Sequence, residues 1–413
     1  MTTPLGNPSN GKTLAAPFAA FNTSDPQYAS QIVETMLSEA SAAGASDVHL
    51  QPGHGGLELK YRIDGVLAPI CIFPGNFAAN VVARLKVLAD LLTYHTDRPQ
   101  EGRIRRTDAD IEMRVSTFPT IHGERAVVRL FGGGLHYQRL DDLGGPKDDF
   151  ARLRHMLSET SGAIVISGPA GSGKTTTAYA CLREIAQNSS AQRSLMSIED
   201  PIEVAVPGVA QSQVNPQAGL DLATGLRFLM RQDPEVILVG EIRDRPTAEA
   251  ALQASLTGHL LLTTFHAGSA AETVGRLLEM GIEPYILQSG LLGVINQRLL
   301  RRLCKCAKPT HDEAAKLGLP VKNVLLPVGC EACRGTGFTK RLLVSEMFVI
   351  MRKDFGGAVL SRSDSAELEH LAIRSGMTTR WQRACEAVDN GLTTPAEVRR
   401  VLGFSDNFKG TKE

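Results

Sequence analysis

The sequence is poor in rings that stack on nucleobases: one Trp, six Tyr and 14 Phe among 413 residues, 5% aromatic in all. Platforms for single-stranded nucleic acid are built from such rings, so their scarcity argues against a nucleic-acid-handling surface. An excess of one charge is missing as well. Lys and Arg together number 44, Asp and Glu also number 44, and the formal net charge is zero. That balance excludes a polyanion-coating protein and a polybasic membrane anchor. No apolar run reaches the roughly 18 residues of a membrane span. The stretch Leu14 to Phe21 is short, is broken by Pro17 and leads into Asn-Thr-Ser-Asp, unlike a secretory signal. The seven cysteines are odd in number, and four fall in two close pairs. This points to a reducing, cytoplasmic setting with a metal site, not a disulfide framework.

What is present fits a soluble α/β protein. The apolar fraction is 43% and the charged fraction 21%, and the length suits two or three domains at roughly 150 residues each. Within the basic residues, 31 are Arg and 13 are Lys. Codon bias explains such an excess, but so does a need for planar forks that grip phosphate. Residues 1–27, rich in Gly, Pro, Ser, Thr and Asn, read as a disordered leader. From 28 to 133 the pattern is that of a small α/β domain. It opens on a helix with Ile32, Val33, Met36, Leu37 and Ala40 on one face. A period-two strand follows at Leu57, Leu59, Tyr61 and Ile63, then a second helix over about 77–94 and strands near 111–118 and 125–131. The glycine-rich stretch 134–146 reads as a linker. Beyond it, over 147–300, apolar strand runs at Ala163–Ser167, Leu195–Ile198, Val236–Val239 and Leu260–Thr264 alternate with helical segments, which predicts a mostly parallel sheet. The chain reads as helical from about 283, carries the cysteine pairs within 301–345, and ends in a helical region over 346–413 that includes Ala366–Arg374 and Pro395–Leu402.

The strongest chemical signal is Gly168-Pro169-Ala170-Gly171-Ser172-Gly173-Lys174-Thr175, placed after an apolar strand and before a helix that starts at Thr176. This is the G-x-x-x-x-G-K-[ST] phosphate loop. Glycines let successive N–H groups turn inward around a phosphate, and the helix N-terminus adds its dipole. Lys174 would reach the β- and γ-phosphates of ATP, and the Thr175 hydroxyl would ligate Mg²⁺. Hydrolysis also needs a carboxylate near the metal and a group that orients water. Glu241 and Glu199 both stand at the ends of apolar strands, where α/β sheets bind ligands. His259 and His266 bracket the strand Leu260–Phe265, and His266 stands where a γ-phosphate sensor would lie, although a structural role for either histidine is equally compatible.

Several longer segments resemble the secretion ATPase superfamily, in particular the ATPases of type II secretion and type IV pilus assembly. The likeness runs from about residue 30 to 403. Ala45-Ser-Asp47-Val-His49, Tyr61 to Leu67, Arg114 to Pro119 and His122 to Arg129 resemble that family's N-terminal domain. Ile198-Glu-Asp-Pro-Ile-Glu203 is similar to its Asp box, Arg231-Gln-Asp-Pro234 leading into Glu241-Ile-Arg243-Asp244 to its Walker B region, and Thr257-Gly-His259 through Thr264-Phe-His266-Ala to its His box. The resemblance implies a homohexamer in which a small PAS-like α/β domain precedes a RecA-like P-loop NTPase motor domain, with a four-cysteine module and a helical C-terminal tail. It implies that ATP sits between the two domains and that Arg103, Arg114 and Arg125 complete the site. It gives Glu199 the water and Glu241 the Mg²⁺, with the two roles open to exchange, and assigns nucleotide contacts to His259. Cys304-x-Cys306 and Cys330-x-x-Cys333 match a zinc module whose first pair usually has two spacers, so Zn²⁺ and metal-free thiols both stay open.

The implied partner is an inner-membrane platform protein, and the implied place is the cytoplasm, peripheral to that membrane. The family's assembly branch usually carries a further N-terminal docking domain. Only the short leader stands here, a length closer to the pilus-retraction ATPases, which generally lack the cysteines. Assembly of a type II secretion pseudopilus or type IV pilus is the expectation, with retraction as the alternative. A third possibility is a nucleic-acid translocase on the same core, using the basic cluster Arg298, Arg301, Arg302, Lys305 and Lys308.

Overall fold

The computed structural model describes residues 16–18, 21, 25–75, 78–106, 111–131, 137–188, 193–350 and 353–404. Two compact units divide the chain: Met1–Leu135 with Cys304–Ala307 and Pro327–Lys340, and His136–Leu303 with Lys308–Leu326 and Arg341–Glu413.

In the first unit six antiparallel strands form one sheet, β1 (Ala45–Gly53), β2 (Gly56–Ile63), β3 (Val66–Phe73), β4 (Gln100–Arg106), β5 (Ile111–Thr120) and β6 (Gly123–Phe131), in the order β3-β2-β1-β6-β5-β4. Strand alternation sorts their side chains. Val48, Leu50, Leu57, Leu59, Tyr61, Val115, Ala126 and Val128 are buried in one core with two helices, α1 (Tyr28–Ala42) and α2 (Ala78–Leu88). The apolar stripe Ile32, Val33, Met36, Leu37 and Ala40 of α1 faces this core, as its spacing predicts. Helix α2 stops six residues short of the expected end. Asp90 adopts a left-handed conformation (φ 56°) and Leu91 N–H bonds back to Lys86 O at 2.8 Å, a Schellman-type close that leaves Leu92 exposed. Most of the expected leader lies outside the described residues. Its described part is packed, not loose: Ala16–Phe18 forms a short 3₁₀ turn, and Phe18 sits edge-on to Phe73, 5.7 Å between ring centres.

The second unit is built on a seven-stranded sheet: β7 (Gly162–Ser167), β8 (Leu195–Glu199), β9 (Val209–Gln213), β10 (Val236–Val239), β11 (Leu260–Phe265), β12 (Leu291–Leu303) and β15 (Phe338–Val349), in the order β15-β12-β7-β11-β10-β8-β9. The ladders from β12 across to β9 are parallel. The unbroken apolar runs follow from burial on both faces. Ala163, Val165, Ile237, Val239 and Leu261 belong to one core, whereas Ile164, Ile166, Val236, Leu238 and Leu262 belong to another on the opposite face. Helix α3 (Lys147–Leu157) precedes β7, and the crossovers carry α4 (Lys174–Asn188), α5 (Leu222–Leu229), α6 (Arg245–Leu256), α7 (Ala270–Glu279) and α8 (Pro284–Gly290). Two expectations change here. The chain from 283 is helical only through Gly290 and then becomes the 13-residue strand β12. Within the expected linker, residues 134–136 lie outside the described ones, while Leu140 is fully buried in the second core.

Between β12 and β15 the chain makes the small ladder β13 (Lys308–Thr310) with β14 (Val324–Leu326). The C-terminal helices α9 (Lys353–Leu360), α10 (Ser365–Arg374), α11 (Arg380–Asp389) and α12 (Pro395–Leu402) follow. The tail is clasped to β12 by a buried carboxylate. Glu397 accepts bonds from Arg301 Nε and Nη2 (3.0 and 2.8 Å), from Arg301 N–H (2.9 Å) and from Arg400 Nε (2.8 Å). Burial alone would raise its pKa, but the two guanidinium groups hold it below the ordinary 4.5. Stability from this clasp is therefore full above that value and is lost as pH falls through the lower folded value. Glu397→Gln should cost about 3–5 kcal/mol at pH 7 and flatten the acid limb of stability below pH 4.5. Urea midpoints measured from pH 7 to 3 check this. Parallel curves for the two proteins would contradict it.

Candidate functional site

Parallel strands deliver their C-terminal ends to one edge of the sheet, and the chemistry-bearing residues stand there. From β7 the chain enters Gly168 to Gly173 and then α4, which begins at Lys174. The turn demands glycine at its entry. Gly168 has φ 150°, and a Cβ there would lie 2.5 Å from Ser172 Oγ and 2.6 Å from Gln297 O. Gly171 and Gly173 also have positive φ, 73° and 87°. Lys174 is buried and donates from Nζ to Gly168 O and Pro169 O, both at 3.1 Å. Burial lowers its pKa, the nearby Glu241 opposes that shift, and Arg298 reinforces it. The ammonium is thus held on backbone carbonyls at a glycine loop.

Glu241 follows β10 and closes a cluster with that lysine. Its Oε1 lies 3.0 Å from His266 Nε2, its Oε2 accepts from Arg243 Nε at 3.0 Å, and His266 Nδ1 lies 3.5 Å from Lys174 Nζ. Register sets this geometry: Phe265 pairs with Ser167, so His266 emerges beside Gly168. Burial and then Lys174 push the His266 pKa down, against the pull of Glu241. Glu199, at the end of β8, is placed differently. It is 2% exposed and accepts from Tyr179 Oη, from Ser197 Oγ at 2.6 Å and from Gln211 Nε2 at 3.0 Å. Burial and Glu199 drive the Tyr179 phenol pKa far up, so it stays a donor. Thr175 and Thr176 are half-buried on the first turn of α4.

His259 is not brought to this edge. It precedes β11, at the opposite end of the parallel strands, where its carbonyl accepts from Gly162 N–H and its Nδ1 lies 3.0 Å from Ala254 O. Its ring closes the end of α6 and is remote from the phosphate loop. In the first unit, Arg103 pairs across strands with Arg114, and Arg114 with Arg129, so all three share the sheet face opposite the helices. Arg125 is on that same face, four residues before Arg129 on β6, with Nη2 3.3 Å from His49 Nδ1. Arg114 is paired with Glu101.

The cysteine pairs converge. Sγ separations are 3.7 Å for Cys304–Cys330, 3.9 Å for Cys306–Cys333 and 3.7 Å for Cys330–Cys333, with all four within 4.8 Å of one another. A tetrahedral ion held at about 2.3 Å from each sulfur would set them about 3.8 Å apart. The single spacer in Cys304-x-Cys306 therefore does not spoil the geometry. Burial disfavours a thiolate at Cys333, but N–H groups of Cys330 and Gly337 donate to its sulfur at 3.1 and 3.2 Å and bring its pKa down to about 6. The donor set fits zinc.

Residues 22–400 match the family described as type II/IV secretion system protein. The chain belongs to that family. It is 42% identical over 378 residues to type II secretion system protein E of Dickeya dadantii, covering 90% of this chain and 75% of that protein. To the type IV pilus assembly ATPase PilB of Thermus thermophilus it is 37% identical over 385 residues, which is 91% of this chain and 43% of PilB. The chain thus spans less than half of PilB. Two solved structures show the same fold: the ATPase DotB of Legionella pneumophila (TM-score 0.65, 20% identity, 89% of this chain and 94% of that one) and the pilus retraction motor PilT with bound ADP (0.64, 23%, 92% and 99%).

As a member of this secretion ATPase family the chain is an ATP-hydrolysing enzyme, and its structure adds residues that the sequence did not single out. Tyr179 holds Glu199, and Gln297 Nε2 donates to Ser172 O at 2.8 Å inside the phosphate loop. The available signal was polarity out of place: Asn296-Gln297-Arg298 interrupts an apolar strand. Of the expected basic cluster, Arg298 donates inward to Gly268 O at 2.7 Å, and Arg301 is spent on Glu397.

Proposed function

We propose that this protein is the motor of a type II secretion pseudopilus or type IV pilus assembly system, working as a homohexamer on the cytoplasmic face of the inner membrane and docked on a membrane platform protein. The carrying observation is the triangle of Lys174, Glu241 and His266 at the phosphate loop, with contacts of 3.0 and 3.5 Å. Family membership and the pilus and secretion relatives supply the system. Among the described residues no helix is long and apolar enough to cross a membrane.

In this reading Lys174 leaves the Gly168 and Pro169 carbonyls for the β- and γ-phosphates, while the inward N–H groups of the loop wrap them. Thr175 and Glu241, a hydroxyl and a carboxylate, are the hard oxygen donors that would hold Mg²⁺. When bound, that ion would neutralise the charge that develops on the phosphate oxygens. His266, beside Lys174, takes the γ-phosphate side. Glu199 orients the attacking water once its carboxylate is freed from Tyr179. Arg103, Arg114 and Arg125 share one face and supply the forks that complete the nucleotide's surroundings, as the resemblance implies. Cys304, Cys306, Cys330 and Cys333 would hold one structural Zn²⁺, which ties two chain segments together. That cluster favours assembly over retraction. The inward-turned Arg298 and the paired Arg301 are withdrawn from the basic cluster of the nucleic-acid alternative, which keeps Arg302, Lys305 and Lys308 exposed.

Lys174→Ala and Glu241→Gln should each lower Mg²⁺-dependent ATP turnover at least about 100-fold, with oligomer size by light scattering unchanged. Equal turnover in all three proteins would contradict the site. Elemental analysis of protein purified without chelators should find about one zinc per chain, lost in the Cys304→Ser/Cys306→Ser double variant. Zinc-free wild-type protein would contradict the metal assignment.

A further inference from the structure

Strand β12 lies directly against the phosphate-loop strand, with Ile295 opposite Ile166 and Asn296 opposite Ser167. Its middle carries Asn296, Gln297 and Arg298. The first two are completely buried. Polar groups so placed require partners, and the partners are the two loops of the nucleotide site. Gln297 serves the phosphate loop. Its Nε2 donates to Ser172 O at 2.8 Å, and its Oε1 accepts from Thr177 Oγ1, in the first turn of α4, at 3.0 Å. Asn296 and Arg298 serve the loop after β11. Asn296 Nδ2 donates to Ala267 O at 3.1 Å and to Ser167 Oγ at 3.0 Å. Arg298 Nη2 donates to Gly268 O at 2.7 Å, and its Nη1 reaches Asn296 Oδ1 and Gln297 O at 3.0 and 3.1 Å. Arg276 takes the remaining carbonyl, that of His266. Each carbonyl from His266 to Gly268 is thus fixed by a side chain.

We propose that Gln297 and Arg298 are positioning residues for ATP hydrolysis: adjacent on one strand, they hold the phosphate loop and the His266 loop in a fixed relation and so set Lys174 against His266. The proposal rests on the reading of Lys174 and His266 given above. Neither residue needs to touch nucleotide, since both act through backbone oxygens. Arginine is required at 298 because its fork donates in two directions at once, to Gly268 and to its own strand. Lysine offers a point charge on a flexible stem. Burial lowers the Arg298 pKa to about 10, which leaves it charged at neutral pH. The same arrangement explains why Arg298 makes no solvent-facing basic patch.

The test uses the full chain with MgATP, reading kcat by phosphate release and affinity by titration with a fluorescent ATP analogue. Misplacing a loop by about 1 Å costs up to about 100-fold in rate. Arg298→Ala should lower kcat at least about tenfold with affinity within about threefold. Gln297→Ala should weaken affinity about tenfold. Arg298→Lys, which keeps the charge, should recover part of kcat, and it replaces Arg298→Ala if that variant fails to assemble. In a His266→Ala background, Arg298→Ala should cost less than about twofold more. If His266→Ala lowers kcat and the double variant shows the full product of both losses, the positioning role is overturned while the site reading stands. If His266→Ala leaves kcat at the wild-type value, the site reading falls and this proposal with it. Equal changes in kcat and affinity for both single variants, tracking a lowered unfolding midpoint, would also overturn it.

Discussion

Lys174 carries a positive charge at a buried position, and among the described residues the partners of its ammonium within 3.1 Å are two carbonyl oxygens of its own loop. A buried cation is costly unless it is paired or solvated by dipoles, and here the dipoles come from Gly168 and Pro169. The loop can present them because Gly168 adopts a backbone angle that a side chain would block against Ser172 and Gln297. The rest of the second unit serves that arrangement. Parallel strands bring Glu241 and His266 to the same edge. Two apolar cores, one on each face of the sheet, fix the strands from which these residues emerge. The site is therefore a consequence of strand direction, with a buried Lys174 beside the partly exposed Glu241 and the exposed His266.

The neutral total charge hides a strong local ordering. In the first unit arginines gather on one sheet face, with Arg103, Arg114 and Arg129 in one cross-strand row and Asp47 answering Arg129 at 3.0 Å. In the second unit arginines are used structurally, to hold carbonyls at Gly268 and His266 and to clasp Glu397 and Glu346. Lysine would serve poorly in these roles, because each needs several donors at fixed angles. The excess of Arg over Lys thus has two physical uses beyond any coding bias, one facing outward and one facing in.

The parts of this architecture that the sequence disclosed were those with local causes. Strands Val236–Val239 and Leu260–Phe265 are legible because burial on both faces leaves them apolar, with Thr263 and Thr264 the two polar positions of the second. The phosphate loop is legible because its glycines, lysine and threonine are contiguous, and the stripe on α1 because its period is that of a helix. The opposite holds for β12. Leu291–Leu303 mixes Leu, Asn, Gln and Arg without a clean period, since its polar residues answer loops distant in sequence, as Arg298 answers Gly268 at 30 residues and Gln297 answers Ser172 at 125. Strand β4, whose sequence is Gln-Glu-Gly-Arg-Ile-Arg-Arg, lies at a sheet edge and reads like a loop. His259 misled for a related reason. Its short distance in sequence from His266 spans a whole strand, so the two histidines end on opposite edges of the sheet.

In the proposed motor Lys174 is parked on carbonyls and moves to phosphate, with Glu241 and His266 already in place around it. A cryo-EM structure of the protein with Mg²⁺ and a non-hydrolysable ATP analogue measures this directly. There Lys174 Nζ should leave Gly168 O and Pro169 O and lie within about 3 Å of a β- or γ-phosphate oxygen, with the Glu241 carboxylate on the metal side and His266 at the γ-phosphate. A bound nucleotide with Lys174 still on its two carbonyls, or with Glu241 and His266 turned away from the phosphates, would contradict it.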